Sequence, residues 1–113
     1  MVESGGFKQL TKLGFLRDFA GGVPRHRALT LYAAQGRVAA SLFPTSTTTV
    51  AAWRHMPTWY AISTQDRTTS PDLQRFLARR MHADTIEVPT SHLSVLTHPD
   101  TITSLILKAA HTT

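Results

Sequence analysis

Two residues of this chain are of the right types to do acid–base chemistry together. Asp66 stands in a polar stretch, Thr64-Gln-Asp-Arg-Thr-Thr-Ser70, directly after a run rich in aromatic and β-branched residues. His92 stands in Pro89-Thr-Ser-His-Leu-Ser94, directly after a second, shorter run of the same kind. A carboxylate that accepts a hydrogen bond from one imidazole nitrogen fixes the ring's tautomer. The other nitrogen is then free to take a proton from a nucleophile. An Asp–His contact also occurs as a plain structural pair, so residue types alone leave both readings open. What decides whether the two can meet is the set of elements that carries them.

Those elements read clearly in the second half. Thr58-Trp-Tyr-Ala-Ile-Ser63 follows Pro57 and has strand composition. Ser70 is a good N-cap, Pro71 a good first helical residue, and Asp72 sits where the helix dipole favours negative charge. Leu73, Phe76, Leu77 and Met81 form an apolar stripe along a helix of about a dozen residues. Thr85-Ile-Glu-Val88 predicts a second strand, and 89–97 a loop. Pro99 and Asp100 open a last helix, with Ile102, Leu105, Ile106 and Ala109 on one face, Lys108 near its end and His98 at its N-cap. Strand, helix, strand, helix is a βαβα unit, whose two strands are parallel because the helical crossover returns the chain to the same end. Both post-strand loops, 64–70 and 89–97, then lie at the C-terminal edge of the sheet, where open α/β folds bind ligands. Asp66 and His92 are therefore expected to be neighbours.

The first half has a helical character. Residues 1–14 are polar, with Gly5, Gly6 and Gly14 as breakers. Leu16, Phe19 and Ala20 share a face until Gly21-Gly22, and Pro24 restarts a helix from its first turn. Ala28, Leu31, Tyr32 and Gln35 follow at three- and four-residue steps up to Gly36. Val38 to Phe43 is a short apolar piece ended by Pro44, and Thr45-Ser-Thr-Thr-Thr49 is a surface loop. The division this predicts is a helical segment over 1–50 and the βαβα unit over 51–113.

Composition narrows the function classes. With 113 residues and 42% apolar content, the chain has material for one modest core. It has no cysteine, which excludes disulfides and thiolate metal sites. The histidines show no ligand spacing and the glycines no nucleotide-binding pattern, so neither metal nor cofactor is expected. No apolar run approaches the ~20 residues of a membrane helix, and no signal peptide is visible, so a cytoplasmic location is expected. The net charge of +5 raises the reading of a small basic nucleic-acid binder. Its basic residues are scattered, with only Arg79-Arg80 adjacent and no interleaved aromatics, so a solvated surface is the better reading.

Several segments together resemble the C-terminal end of bacterial α/β-hydrolase-fold proteins. They are Thr64-Gln-Asp-Arg67, Pro71 to Met81, Glu87-Val-Pro-Thr-Ser-His92 and His98-Pro-Asp100. The branch they look most like is the one related to plant methylesterases and hydroxynitrile lyases. Asp18-Phe-Ala-Gly-Gly-Val-Pro24, Ala33-Ala-Gln35, Ala52-Trp-Arg54 and Pro57-Thr-Trp-Tyr60 resemble that branch's cap and its lead-in to the seventh strand. The resemblance implies a partial α/β-hydrolase fold, with the 1–50 segment as cap and 51–113 as the last two strands with their helices. It implies Asp66 as the triad acid and His92 as the triad base. Where the lyases of this branch carry a lysine after the histidine, this chain has Leu93, which points toward hydrolysis of an ester or amide. Trp53, Trp59 and Tyr60 are candidates for an acyl pocket, or else for the core where cap meets sheet.

The family's nucleophile belongs in a G-x-S-x-G elbow. None of the eight serines (Ser4, Ser41, Ser46, Ser63, Ser70, Ser91, Ser94, Ser104) stands in that pattern, and no glycine-rich oxyanion loop is present. The expectation is two-thirds of a triad: an acid and a base without activity alone, acting on a small ester or amide only when complemented by a nucleophile-bearing part. A non-catalytic interaction module built on the same fold is the alternative. Two parallel strands also leave an open edge, which predicts self-association or a partner chain there.

Overall fold

The computed structural model describes residues 1–46 and 48–111. Its centre is a pair of parallel strands, β4 (Trp59–Ser63) and β5 (Asp84–Val88), in the register Trp59↔Asp84 to Ser63↔Val88. Helix α3 (Pro71–Arg80) makes the crossover. It starts where expected: the Ser70 hydroxyl accepts from the Leu73 amide at 3.3 Å, Pro71 occupies the first turn and Arg79 and Arg80 the last. Arg75 ties α3 to the second strand through Glu87 at 2.8 Å. Helix α5 (Pro99–His111) closes the unit, with the His98 carbonyl accepting from Ile102 at 3.2 Å. The 89–97 segment is not all loop, since Ser94–Thr97 forms one helical turn, α4. This is a partial α/β fold, with its strands parallel as the crossover requires.

The orientation of α3 departs from the apolar-stripe reading. Gln74 and Ala78 are buried, whereas Leu73 is 47% and Phe76 52% exposed. The helix presents its small and amide residues to the strands because the Gln74 side chain bonds into the strand end; Leu73 and Phe76 are left facing out, while Leu77 and Met81 of the stripe are half-buried. On α5, Ile106 is likewise 61% exposed. The radius of gyration, 15.8 Å, exceeds the roughly 13 Å of a compact chain this long. The apolar surface is thus only partly covered.

The first half contains the expected helices and also a sheet. Helix α1 (Lys12–Gly14) is capped by Thr11, whose hydroxyl accepts from the Gly14 amide at 3.1 Å, and it runs on into a π-helical turn, Phe15–Phe19. Gly14 therefore does not break the chain; its φ is helical at −61°. Helix α2 (Arg25–Ala34) starts one residue after Pro24, which is extended at ψ 134° and takes the N-cap position, not the first turn. Around these lies a three-stranded antiparallel sheet, β1 (Val2–Ser4), β2 (Phe7–Gln9) and β3 (Val38–Ala39), which the reading of residues 1–14 as merely polar did not contain. Gly5 and Gly6 make its hairpin turn, with φ of +57° and +76° that side chains resist. The apolar piece 38–43 divides into β3 and a 3-10 turn at Ala40–Leu42. Within the expected loop 45–49, position 47 lies outside the described residues and the other positions are irregular. Phe15, Ala20, Val23 and Ala28 form the buried cluster of this half, and Leu93 packs against it from the second half.

Candidate active site

Both post-strand loops meet at the C-terminal ends of β4 and β5. The Gln65 amide donates to the Thr90 carbonyl at 3.0 Å, and the Thr64 amide to Val88 at 3.0 Å, so the first loop is bonded to the second. That contact brings Asp66 and His92 together, with Asp66 Oδ2 2.9 Å from His92 Nδ1. The Asp66 side chain is 3% exposed and that of His92 32%. A buried acid thus holds a ring whose other edge reaches solvent.

The carboxylate is held from every side. Its Oδ1 accepts from the amides of Thr68 at 2.8 Å and Thr69 at 3.0 Å, the short-range pattern in which an aspartate folds its own loop around itself. Its Oδ2 accepts from Gln74 Nε2 at 2.9 Å as well as from His92. Burial pushes the Asp66 pKa up, but the Thr69 amide, His92 and the Thr68 amide together outweigh it, and the net shift is downward. Asp66 is therefore ionised at neutral pH. It accepts the Nδ1 proton of His92 and leaves Nε2 as the basic nitrogen.

Gln74 was not apparent as a site residue in the sequence, where it stands among the polar positions of α3. It is 3% exposed, and its amide has three partners. Oε1 accepts from the Ser63 amide at 2.9 Å, while Nε2 donates to Asp66 and, at 2.7 Å, to the Thr69 carbonyl. One side chain thus joins the end of β4, the acid and its loop.

The π-helical turn completes the setting. The Asp18 carbonyl accepts from the hydroxyls of Thr68 at 3.1 Å and Ser91 at 3.2 Å, one on each loop. The Asp18 carboxylate in turn pairs with Arg17 at 2.7 Å and Arg67 at 3.3 Å. The next residue, Phe19, lays its ring against that of His92, with centroids 4.8 Å apart. Gly21 makes the close approach possible, since a Cβ there would stand 3.0 Å from Ser91 Oγ. The spacing of Leu16, Phe19 and Ala20 marked a shared helical face, but nothing in it pointed Phe19 at the His92 ring.

Beside the pair is an open hollow of about 290 Å³, lined by Trp59, Tyr60, Ala61 and Ser63 along β4 and by Asp66, Gln74, His92 and Ser94. Two of the three aromatic candidates, Trp59 and Tyr60, are therefore beside the site. Trp53 is not among its walls; it lies in the 3-10 turn Ala52–Arg54, under the guanidinium groups of Arg54 at 4.6 Å and Arg80 at 5.8 Å. The hollow follows the outer edge of β4, which has no strand partner among the described residues. Asp84 donates its amide to Thr58 and Thr64 donates to Val88, so the even-numbered residues face β5. The main-chain groups of Trp59, Ala61 and Ser63 face away from it, and Gln74 covers only the last of them.

The family model described as "Alpha/beta hydrolase family" matches residues 4–104. The chain belongs to the alpha/beta hydrolase family. No curated protein and no solved structure matches it significantly. In this alpha/beta hydrolase, Asp66 and His92 stand on the loops after the two consecutive parallel strands. Of the serines in the hollow, Ser63 and Ser94, neither hydrogen-bonds the His92 ring among the described residues. No group of three or more His, Asp or Glu is placed to hold a metal ion among the described residues, and no helix among them is long and apolar enough to cross a membrane.

Proposed function

We propose that this chain supplies the acid and the base of a carboxylic ester hydrolase. The single observation that carries the reading is the 2.9 Å contact between a buried, fully hydrogen-bonded Asp66 and a partly exposed ring that borders an open hollow. In the reaction, His92 Nε2 takes the proton of a serine hydroxyl as its oxygen attacks the ester carbonyl. It then gives that proton to the departing alkoxide, and the acyl-serine is hydrolysed by water activated in the same way. Asp66 stays ionised throughout and stabilises the imidazolium. Amides fit the same scheme. The segment 1–50 acts as the cap, laying Phe19 over the base.

The serine is the part this chain does not offer in the required G-x-S-x-G setting. Triad members work as a unit, so the 113-residue chain turns over no ester by itself. The open edge of β4 beside the site is where we place the complementing strand, and in the isolated chain a second copy takes that edge. Incubation with a p-nitrophenyl ester and with a fluorophosphonate probe tests the first point; turnover with covalent labelling of a serine overturns it. The Asp–His reading is tested by proton NMR. A far-downfield Nδ1 proton of His92 is expected, and it is lost in Asp66→Ala. Its absence from the parent chain overturns the reading. For the edge, sedimentation is expected to show association, and a monodisperse, cooperatively melting monomer refutes it.

A further inference from the structure

A cavity of about 440 Å³ lies between the 17–22 turn and the two post-strand loops, and it shares no lining residue with the hollow beside His92. Two glycines bring the turn close to the second loop. A Cβ on Gly21 would stand 3.0 Å from Ser91 Oγ, and one on Gly22 4.0 Å from Thr97 Cγ2. Arg17 and Arg67 are in the wall, and no acidic residue is. One carboxylate, that of Asp18, serves both guanidinium groups. Arg17 meets it through Nε and Nη2 at 2.7 Å each, which leaves its Nη1 without a partner among the described residues. Arg67 comes within 3.3 Å of Asp18 Oδ1 and makes no hydrogen bond among those residues. Two cations against one anion leave a positive charge at the cavity. Neutral donors add to it. Gly21 and Gly22 both line the cavity, and neither amide has an acceptor among the described residues. Gly22 has φ +81°, as in backbone turns whose successive N–H groups form anion-binding concavities. His98 also stands in the wall, with only its Nδ1 engaged, on Thr97 Oγ1 at 3.1 Å.

We propose that this cavity binds a phosphate group, free or carried by a small monoester, with Arg17 and Arg67 as the charged clamp and the Gly21 and Gly22 amides as neutral donors. Guanidinium forks match phosphate oxygens and hold them by charge-assisted hydrogen bonds. The donors stand on separate stretches of chain: one arginine on the turn, one on the loop after β4, and the glycine pair. The three acceptor oxygens of a phosphate suit that spread better than the two of a carboxylate. The volume is in the range of small-molecule pockets, about 300–1,000 Å³, and leaves room for a group attached to the phosphate. The site stands apart from the hydrolase reading, because none of these four residues has a part in that chemistry. It gives two of the scattered basic residues behind the net charge of +5 a common task.

The test is a proton–nitrogen NMR titration of the full chain with inorganic phosphate and with phenyl phosphate. Sodium chloride holds the ionic strength at about 0.15 M, where the screening length is about 8 Å. Saturable shifts of the Gly21 and Gly22 amides are expected with both probes, and none with chloride alone. Tighter binding of phenyl phosphate identifies a monoester as the source of the group; equal binding identifies free phosphate. Acetate binds more weakly than either. Arg67→Gln is expected to weaken phosphate at least about tenfold, the low end for hydrogen bonds to a charged group. The Arg67 side chain is 62% exposed, so the substitution leaves the core untouched. Arg79→Gln removes the same charge in the last turn of α3, at the far end from the loops, and screening keeps its effect within about twofold. Should circular dichroism show Arg67→Gln unfolded, Arg67→Lys takes its place; it keeps the charge, loses the fork and binds phosphate more weakly than the parent. Glycine shifts that follow ionic strength alone, equal weakening by Arg67→Gln and Arg79→Gln, or acetate binding as tightly as phosphate overturns the proposal.

Discussion

Replacing Gln74 with leucine tests whether the site is held by the network around Asp66 or only by the βαβα frame. Leucine is close in size and removes all three hydrogen bonds of the amide. The bond to the ionised Asp66 contributes about 1.5–3 kcal/mol, and each of the two neutral bonds about 0.5–1.5 kcal/mol. The Ser63 amide and the Thr69 carbonyl lose a partner in a region where Ser63 is 5% exposed. The contributions are not additive within one network, and the expected total is about 3–5 kcal/mol. With an m value near 1.5 kcal/mol/M, the urea midpoint falls by about 2–3 M. The orientation of the amide supplies a second variant. Oε1 meets a donor while Nε2 meets two acceptors, so Gln74→Glu keeps the first contact and sets a carboxylate against Asp66. It is expected to be at least as unstable as Gln74→Leu at pH 7 and to recover partly in mild acid, where a glutamic acid raised by burial and by its neighbour can donate again. A Gln74→Leu protein within about 0.5 kcal/mol of the parent, by urea unfolding at matched m, refutes this account of the site.

Asp66 has its pKa lowered in the folded chain, so the stability it contributes is present above the ordinary aspartate value of about 3.9 and is lost as pH falls through the lower folded value. Urea midpoints from pH 7 to pH 2 are expected to show an acid limb in the parent that is flattened in Asp66→Ala. Gly21→Ala drives a Cβ to 3.0 Å from Ser91 Oγ and 3.2 Å from the Arg17 carbonyl. It is expected to cost about 1–3 kcal/mol and to shift the His92 ring resonances, which a purely local clash leaves alone. Ser70→Ala removes the N-cap of α3 and is expected to cost about 1 kcal/mol in thermal unfolding, with the Nδ1 proton of His92 retained.

Asp66 and His92 were legible in the sequence for a topological reason. A strand followed by a capped helix and a second strand admits one parallel arrangement, which puts both following loops at the same edge whatever their own conformations. Strand composition at 58–63 and the Ser70-Pro71-Asp72 start were enough to fix that frame. What the frame could not give was the rotation of α3. Counting apolar residues turns Leu73 and Phe76 inward, but the hydrogen-bond demand of the strand end and the carboxylate turns Gln74 inward, and a buried acid that lacks a donor costs more than an exposed leucine. The hairpin of β1 and β2 was marked by Gly5-Gly6, a dipeptide suited to a turn with two positive φ values, yet strands of three residues are too short to show alternation. The turn carrying Asp18 and Phe19 was marked as helical by Leu16, Phe19 and Ala20, but its π form and its contact with the two loops had no marker.

The outward-facing Leu73 and Phe76 and the open β4 edge belong with the site and are not separate oddities. The groups that hold Asp66 are satisfied within the chain: both carboxylate oxygens, the Gln74 amide and the two loops have their partners. Leu73 and Phe76 on α3 stay about half exposed, and β4 has no strand partner on its outer edge among the described residues. Polar positioning of the acid and base is thus complete locally, while hydrophobic closure of the sheet is not. Under the proposed function, a chain built this way presents an oriented base to the strand that completes its edge. The order of events is therefore testable: the downfield proton of His92 should be present before any association occurs, at concentrations where sedimentation still shows monomer. If the proton appears only in the associated species, Asp66 and His92 are brought together by the partner and not by the network described above.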